Sequence, residues 1–262
     1  MNVTLITGAA SGLGWALARG AYARGDHVVL VDMNADLLFQ REQELSGSAR
    51  VASLAGDITD ESFQSAIFTA IKERFGRLDT LINNAGITHR SLVQNTDPKV
   101  LIKVMAVDWQ APVQLACAAL PFLEASRGTI INVGSMAGWM PVMGRAAYCS
   151  AKSALAQFFE VLRCEVADKG IKILNVYPSF LDTPIEKNAL GGDGAPASHQ
   201  RSTVGKTRSA EWMAAKILLA QKKGKRWIFP DPLSLFGSIL WRVWPSRYLA
   251  IMSKRFAIEL QQ

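Results

Sequence analysis

Apolar runs rich in β-branched residues alternate with segments of helical periodicity along nearly the whole chain. The runs predict strands over Val3–Thr7, His27–Asp32, Arg50–Leu54, Leu78–Asn83, Thr129–Gly134 and Ile171–Tyr177, and a weaker one over Trp227–Phe229. Apolar spacings of three and four predict helices over Leu13–Arg24, Ala35–Leu45, Glu61–Phe75, Pro98–Leu123, Ala147–Lys169 and Ala210–Gln221. Strands that are apolar throughout are covered on both faces, which points to parallel pairing with helices as the connections. Right-handed crossovers then give one doubly wound, Rossmann-type α/β domain over residues 1–230, with seven mainly parallel strands and helices on both faces. Residues 183–209, which include GGDGAPAS, break the rhythm. A loop of that length, placed after the sixth strand where ligands bind in such sheets, predicts a lid. Residues 231–262 read as two short amphipathic segments interrupted at Pro245, a helical extension of the same domain.

Composition narrows the class. With 49% hydrophobic and 19% charged residues among 262, the chain has ample material for a large core and is not disordered. No stretch of about 20 uninterrupted apolar residues is present, so no spanning helix is expected. Cys117, Cys149 and Cys164 are dispersed, odd in number and without metal-ligand spacing. They fit a reducing compartment and no metal site. The opening MNVTLITG reads as a strand, with no charged leader or long apolar region, so the expected location is cytoplasmic. The net charge of +7 is scattered, which speaks against nucleic acid, except near the C-terminus. There Arg226, Arg242, Arg247, Lys254 and Arg255 interleave with Trp227, Trp241, Trp244, Tyr248 and Phe256. That mixture suits peripheral contact at a membrane headgroup boundary, and equally suits packing over a subunit interface or a cleft.

Chemistry enters with TLITGAASGLGWALA, in which a strand runs through Gly8, Gly12 and Gly14 into a helix. Glycines there allow a tight turn and bring backbone N–H groups close to a pyrophosphate at the helix N-terminus. Asp32 ends the second strand about 20 residues on, where a carboxylate accepts from ribose hydroxyls and repels a 2′-phosphate. Nothing basic lies among Ala9, Ala10 and Ser11, and Met33, not arginine, follows Asp32. The expected cofactor is therefore NAD rather than NADP. Farther on, AAYCSAK sets Tyr148 four residues before Lys152, on one helix face. A free tyrosine has a pKa of about 10, and nearby cations favour its phenolate by Coulomb attraction.

The glycine spacing TGxxxGxG, NNAG at 83–86, INVGS ending at Ser135 and YxxxK at 148–152 together resemble the short-chain dehydrogenase/reductase family, in order and spacing, over about residues 2–230. The resemblance implies that Gly8, Ser11, Gly12, Leu13 and Gly14 surround the pyrophosphate, with Asp32 and Met33 by the adenosine ribose and Asp57 and Ile58 by the adenine. It implies that Asn84, Ala85 and Gly86 line the adenosine side of the cleft. Ser135 would hydrogen-bond the substrate oxygen, Tyr148 act as acid/base and Lys152 hold the nicotinamide ribose. Pro178, Leu181 and Thr183, in YPSFLDT, would meet the nicotinamide carboxamide. It also implies dimers or tetramers through the helices at 98–123 and 147–169.

Several positions depart from the family or stand outside its pattern. VDWQAP places Asp108 where the family usually has an asparagine that supports the lysine. If the position serves to bend the helix and present a backbone carbonyl, aspartate serves too; as a carboxylate near Lys152 it would hold the ammonium and oppose Tyr148 ionisation, and Asp108→Asn is then expected to be the more active form. Ser179 replaces the family's usual glycine after Pro178, at a cost of about 1 kcal/mol if the turn needs positive φ. Cys149 reads as a buried small residue, and His89 and His199 as surface polar residues, with contact to substrate the alternative for both. The resulting expectation is hydride transfer between NAD(H) and a secondary alcohol or ketone. Trp139, Met140, Val142 and Met143 after Ser135 suggest an apolar or lipid-like substrate. The alternatives are a 3-oxoacyl-thioester reductase and a non-catalytic dinucleotide sensor or scaffold.

Overall fold

The structure, a computed structural model, describes residues 1–45, 49–186, 188–197, 206–230 and 232–260. In chain order the elements are β1 (Val3–Thr7), α1 (Gly12–Ala23), β2 (His27–Asp32), α2 (Ala35–Glu44), β3 (Val51–Ala55), α3 (Glu61–Phe75) and β4 (Thr80–Asn83). Then follow α4 (Pro98–Met105), α5 (Ala111–Ser126), β5 (Thr129–Val133), α6 (Ala146–Glu165) and β6 (Lys172–Val176). The chain continues through β7 (Leu181–Asp182), β8 (Arg208–Ser209), α7 (Ala210–Lys222), β9 (Trp227–Ile228), α8 (Pro232–Val243) and α9 (Pro245–Leu260). The seven-stranded sheet has the order β3-β2-β1-β4-β5-β6-β9, and every pairing in it is parallel.

Both faces of the sheet are covered, as continuous apolar strands require. Along β1, Leu5 packs with Ile67, Leu115 and Phe159 beneath α3, α5 and α6. Its neighbour Ile6 turns the other way and packs with Leu17 and Ile217 beneath α1 and α7. Local chemistry sets the helix ends. The Asp60 carboxylate accepts from the N–H groups of Ser62 and Phe63 at the start of α3, and Gly76, at φ 68°, closes it.

Three features differ from the sequence expectation. The helix expected over Pro98–Leu123 is interrupted by a π-turn over Ala106–Gln110. Pro112 has no N–H, and its ring would clash with the carbonyl four residues back in a regular α-helix. Widening the turn relieves that clash and leaves the Asp108 side chain wholly buried. Length and composition would let Pro98–Ser126 cross a membrane; here Val104, Leu115, Ala119 and Leu123 lie in the core. The second difference is that the helix expected to reach Lys169 ends at Glu165, in a turn closed by Gly170 at φ 75°. Finally, the described part of the expected lid, which leaves out residues 187 and 198–205, is not irregular throughout. β7 pairs with β8, and Leu190 bridges both His89 and Pro196.

Candidate active site

At one end of the cleft, β1 delivers the chain into the glycine turn. Gly8 and Gly12 take φ of 66° and 51°, conformations that favour glycine. A Cβ on Gly14 would lie 1.9 Å from the Gly8 carbonyl oxygen, so the helix can begin this close to the turn only with glycine there. The Thr7 hydroxyl oxygen accepts from the Asn84 and Ala85 N–H groups, each at 3.1 Å. The Asn84 side-chain amide donates back to the Thr7 and Gly8 carbonyls at 2.9 and 3.2 Å. Asp32 closes the other side: its Oδ2 accepts from Ala10 N–H and its Oδ1 from Asn34 N–H, both at 3.0 Å. A Cβ on Gly12 would be 3.2 Å from Thr183 and Pro184, so the segment after β6 comes down onto the same turn. The N-terminus of α1, including Leu13, carries no side-chain cap at Ser11, which suits an anion there.

Other expected cofactor residues lie around this cage. Met33 is exposed. Asp57 uses Oδ1 to accept from both the N–H and the hydroxyl of Thr59, while Ile58 is buried. Arg41, a cation near the turn that the sequence reading missed, donates to the Ala10 carbonyl at 3.0 Å. Its guanidinium also lies 5.0 Å from the Trp15 ring centroid and pairs with Glu44.

The other end is built around Lys152, from α6. Its Nζ donates to the Val133 carbonyl at 3.3 Å, lies 3.3 Å from Asp108 Oδ2, and stands 5.7 Å from the Tyr148 ring centroid. Asp108 Oδ1 accepts from Ile87 N–H at 2.7 Å. Burial pushes the Asp108 carboxyl above its ordinary value, against the opposing pull of Lys152 and Ile87 N–H. Gly86 makes room for the pair, since a Cβ there would fall 3.2 Å from Asp108 Oδ1 and 3.4 Å from Lys152 Nζ. Ser135 begins the loop after β5, and its Oγ accepts from Ala137 N–H at 3.1 Å. Gly138 lets that loop press on α6, where a Cβ would meet the Lys152 carbonyl at 2.7 Å. The structure thus gathers Tyr148, Lys152, Asp108 and Gly86 into one cluster.

Ser179 carries no left-handed strain, because Arg127 is the sole non-glycine residue with positive φ among those described. The Cys149 thiol donates to the Val142 carbonyl at 3.8 Å, and burial pushes its pKa up, which fits an inert side chain. His89 is a correction. It is wholly buried rather than on the surface, because Leu190 bridges to it and the flanking Thr88 and Arg90 backbones hydrogen-bond the same residue. Burial, with Arg145 adding to it, lowers its pKa to about 4, so it is a neutral imidazole at physiological pH. His199 lies outside the described residues.

A polar row beneath the cleft also went unread. In register across three strands, Asn83 donates to Asn132 and Asn132 donates to Asn175, each at 2.9 Å. Asn175 donates in turn to Glu160 at 2.8 Å, and Arg163 holds that carboxylate below its ordinary pKa. The signal was available as LIN, IIN and ILN, the same triplet chemistry at or one residue before the ends of three strands.

Residues 2–192 match the family model described as short chain dehydrogenase. The chain is 32% identical over 262 residues to dehydrogenase/reductase SDR family member 7B of Bos taurus, covering 97% of this chain and 81% of that protein. It is also 32% identical over 267 residues to dehydrogenase/reductase SDR family protein 7-like of Drosophila melanogaster, covering 99% and 82%. Among solved structures, a short-chain dehydrogenase from Streptomyces avermitilis superposes with a TM-score of 0.80 at 26% identity, covering 97% of both chains. A 3-ketoacyl-(acyl-carrier-protein) reductase from Brucella melitensis complexed with NADH shares the fold, with a TM-score of 0.73 at 21% identity over 89% of this chain and 92% of that one.

Proposed function

The chain belongs to the short-chain dehydrogenase family, and we propose that it transfers hydride between NAD(H) and an apolar or lipid-like secondary alcohol or ketone. The observation that carries this reading is Lys152, held by the Val133 carbonyl and Asp108 within reach of the Tyr148 ring. A nicotinamide dinucleotide, when bound, supplies or accepts the hydride. The glycine turn fits its pyrophosphate, because a cradle that a Cβ would fill approaches the start of α1. Asp32 fits the ribose hydroxyls and supports NAD over NADP. The charge of Arg41 is already engaged by Ala10, Glu44 and Trp15, which supports the same preference.

In this reading the Tyr148 hydroxyl gives the proton to the ketone oxygen in reduction and takes it back in oxidation. Lys152 favours the phenolate through its positive charge. Ser135 holds the substrate oxygen in place, and its bond to Ala137 N–H leaves the hydroxyl proton to donate. Asp108 acts as a positioning residue that ties Lys152 to the Ile87 backbone. Its buried carboxyl also favours a second reading, a slow enzyme or dinucleotide sensor. Partner copies would meet through the outer faces of α4, α5 and α6.

Tyr148→Phe tests the reading. Turnover of a panel of secondary alcohols and ketones should fall by roughly 10³-fold, within the range for loss of a general acid/base, while NADH still binds. Wild-type turnover by the variant would sink the mechanism, and a panel with no active substrate would favour the sensor.

A further inference from the structure

The C-terminal helices α8 and α9 are joined to the loop that follows Ser135. The Tyr248 hydroxyl donates to the Pro141 carbonyl at 3.1 Å, and the Arg242 guanidinium lies 4.8 Å from the Trp139 ring centroid. A Cβ on Gly237 would lie 3.2 Å from the Met140 sulfur. The inner side of α8 therefore packs on the catalytic loop. Its outer side is apolar and open. Leu235, Phe236, Ile239 and Val243 are all exposed, Phe236 by 62% and Val243 by 77%. At 100° per residue they share one arc of about 100°. On α9, Arg247, Ile251 and Lys254 fall at i, i+4 and i+7, and Arg247 stacks 5.6 Å from the exposed Trp244 ring centroid. Together α8 and α9 have four cationic residues, Arg242, Arg247, Lys254 and Arg255, against one acidic residue, Glu259.

We propose that α8 and α9 dock on an anionic lipid surface and hold the mouth of the cleft at the bilayer, so that the substrate is a membrane-resident lipid ketone or alcohol. The charge pattern chooses this occupant over a second copy of the chain. A two-fold contact would press the cations Arg247 and Lys254 against their own copies, whereas an anionic headgroup layer complements them while acyl chains receive the apolar arc. The substrate part rests on the dehydrogenase reading above; the docking part does not.

Flotation of the full chain measures the docking directly, with vesicles of phosphatidylcholine alone or mixed equally with phosphatidylserine. The wild-type chain should float with the mixed vesicles and sediment with the neutral ones. Arg247→Ser/Lys254→Ser should weaken binding to the mixed vesicles roughly 30-fold, as the loss of two interfacial cations implies. Phe236→Ser/Val243→Ser should abolish flotation, and both variants should keep wild-type melting temperatures. A wild-type chain that fails to float, or variants that float as well as it does, overturns the proposal. So does light scattering that shows a wild-type dimer split by the apolar variant in the absence of flotation. A long-chain ketone embedded in mixed vesicles should be reduced faster by wild type than by the apolar variant, and a short soluble ketone equally by both. If neither ketone is reduced, the dehydrogenase reading fails while the flotation result stands. Equal rates on the embedded ketone overturn the delivery of substrate from the bilayer.

Discussion

Two aspartates hold the two ends of the cleft, and they do so with different partners. Asp32 is half-exposed and uses both oxygens on backbone N–H groups, those of Ala10 and Asn34. Asp108 is wholly buried and shares itself between one backbone N–H and the ammonium of Lys152. The first arrangement fixes a shape, since the donors are part of a turn already set by glycine geometry. The second fixes a balance of charge, because each group there alters the ionisation of the next. A substitution at the glycine end should therefore act through packing and cofactor affinity. One at the lysine end should act through pH.

The strongest way to test that division is Gly14→Ala. With its Cβ only 1.9 Å from a backbone oxygen, the helix or the turn must move. The variant should lose about 3 kcal/mol of stability and with it measurable NADH binding, read by thermal melting and cofactor fluorescence. Undiminished NADH affinity would show that the turn has slack and that packing does not set cofactor affinity at this end of the cleft. Asp32→Ala comes next. Removing charge-assisted hydrogen bonds should lower kcat/KM with NAD by about 10- to 100-fold, without an equal loss with NADP. Equal losses with both cofactors would make Asp32 a support for the turn and not a reader of the ribose.

Asp108→Asn sharpens the other side. Replacing the carboxylate beside Lys152 should raise kcat/KM at neutral pH several-fold and move the rising limb of the pH–rate profile to lower pH, since a one-unit shift in Tyr148 is about tenfold in phenolate. An unchanged profile would remove the electrostatic role. Stability should carry a matching sign. Burial raises the Asp108 pKa, so the folded chain binds its proton more tightly than the unfolded chain does. That contribution is complete below about pH 4 and is lost as pH climbs through the raised value. Wild type should therefore compare best with Asp108→Asn in melting experiments at acid pH and worst at alkaline pH. Ser179→Gly has the smallest expected effect. With no positive φ to relieve, glycine adds only unfolded-state freedom and should change stability by less than about 1 kcal/mol.

Most of the sheet could be read from the chain because its buried parallel strands are predominantly apolar, a local property. The glycine turn was legible for the same reason: its residues are consecutive, and steric need selects their type. His89 was misread because its burial depends on Leu190, far along the chain, and no local pattern reports that contact. The π-turn had a visible cause in Pro112, yet the apolar periodicity on either side of it read as one helix. Asp108 was recognisable by its position in a known pattern, but its complete burial came from the way α4, α6 and Gly86 meet around it.

The row Asn83–Asn132–Asn175 has a direction as well as a composition. Each amide can be reversed in principle, but the Glu160 carboxylate only accepts, so Asn175 must point its NH₂ group toward α6. Asn132 must then do the same, and Asn83 after it. The row behaves as a line of compass needles aligned from one end. Its last carbonyl, on Asn83, is left buried without a hydrogen-bond partner among the described residues, just before Asn84. A glutamate on the far flank of the sheet thus decides which pole the interior presents beneath the cleft, two strands away.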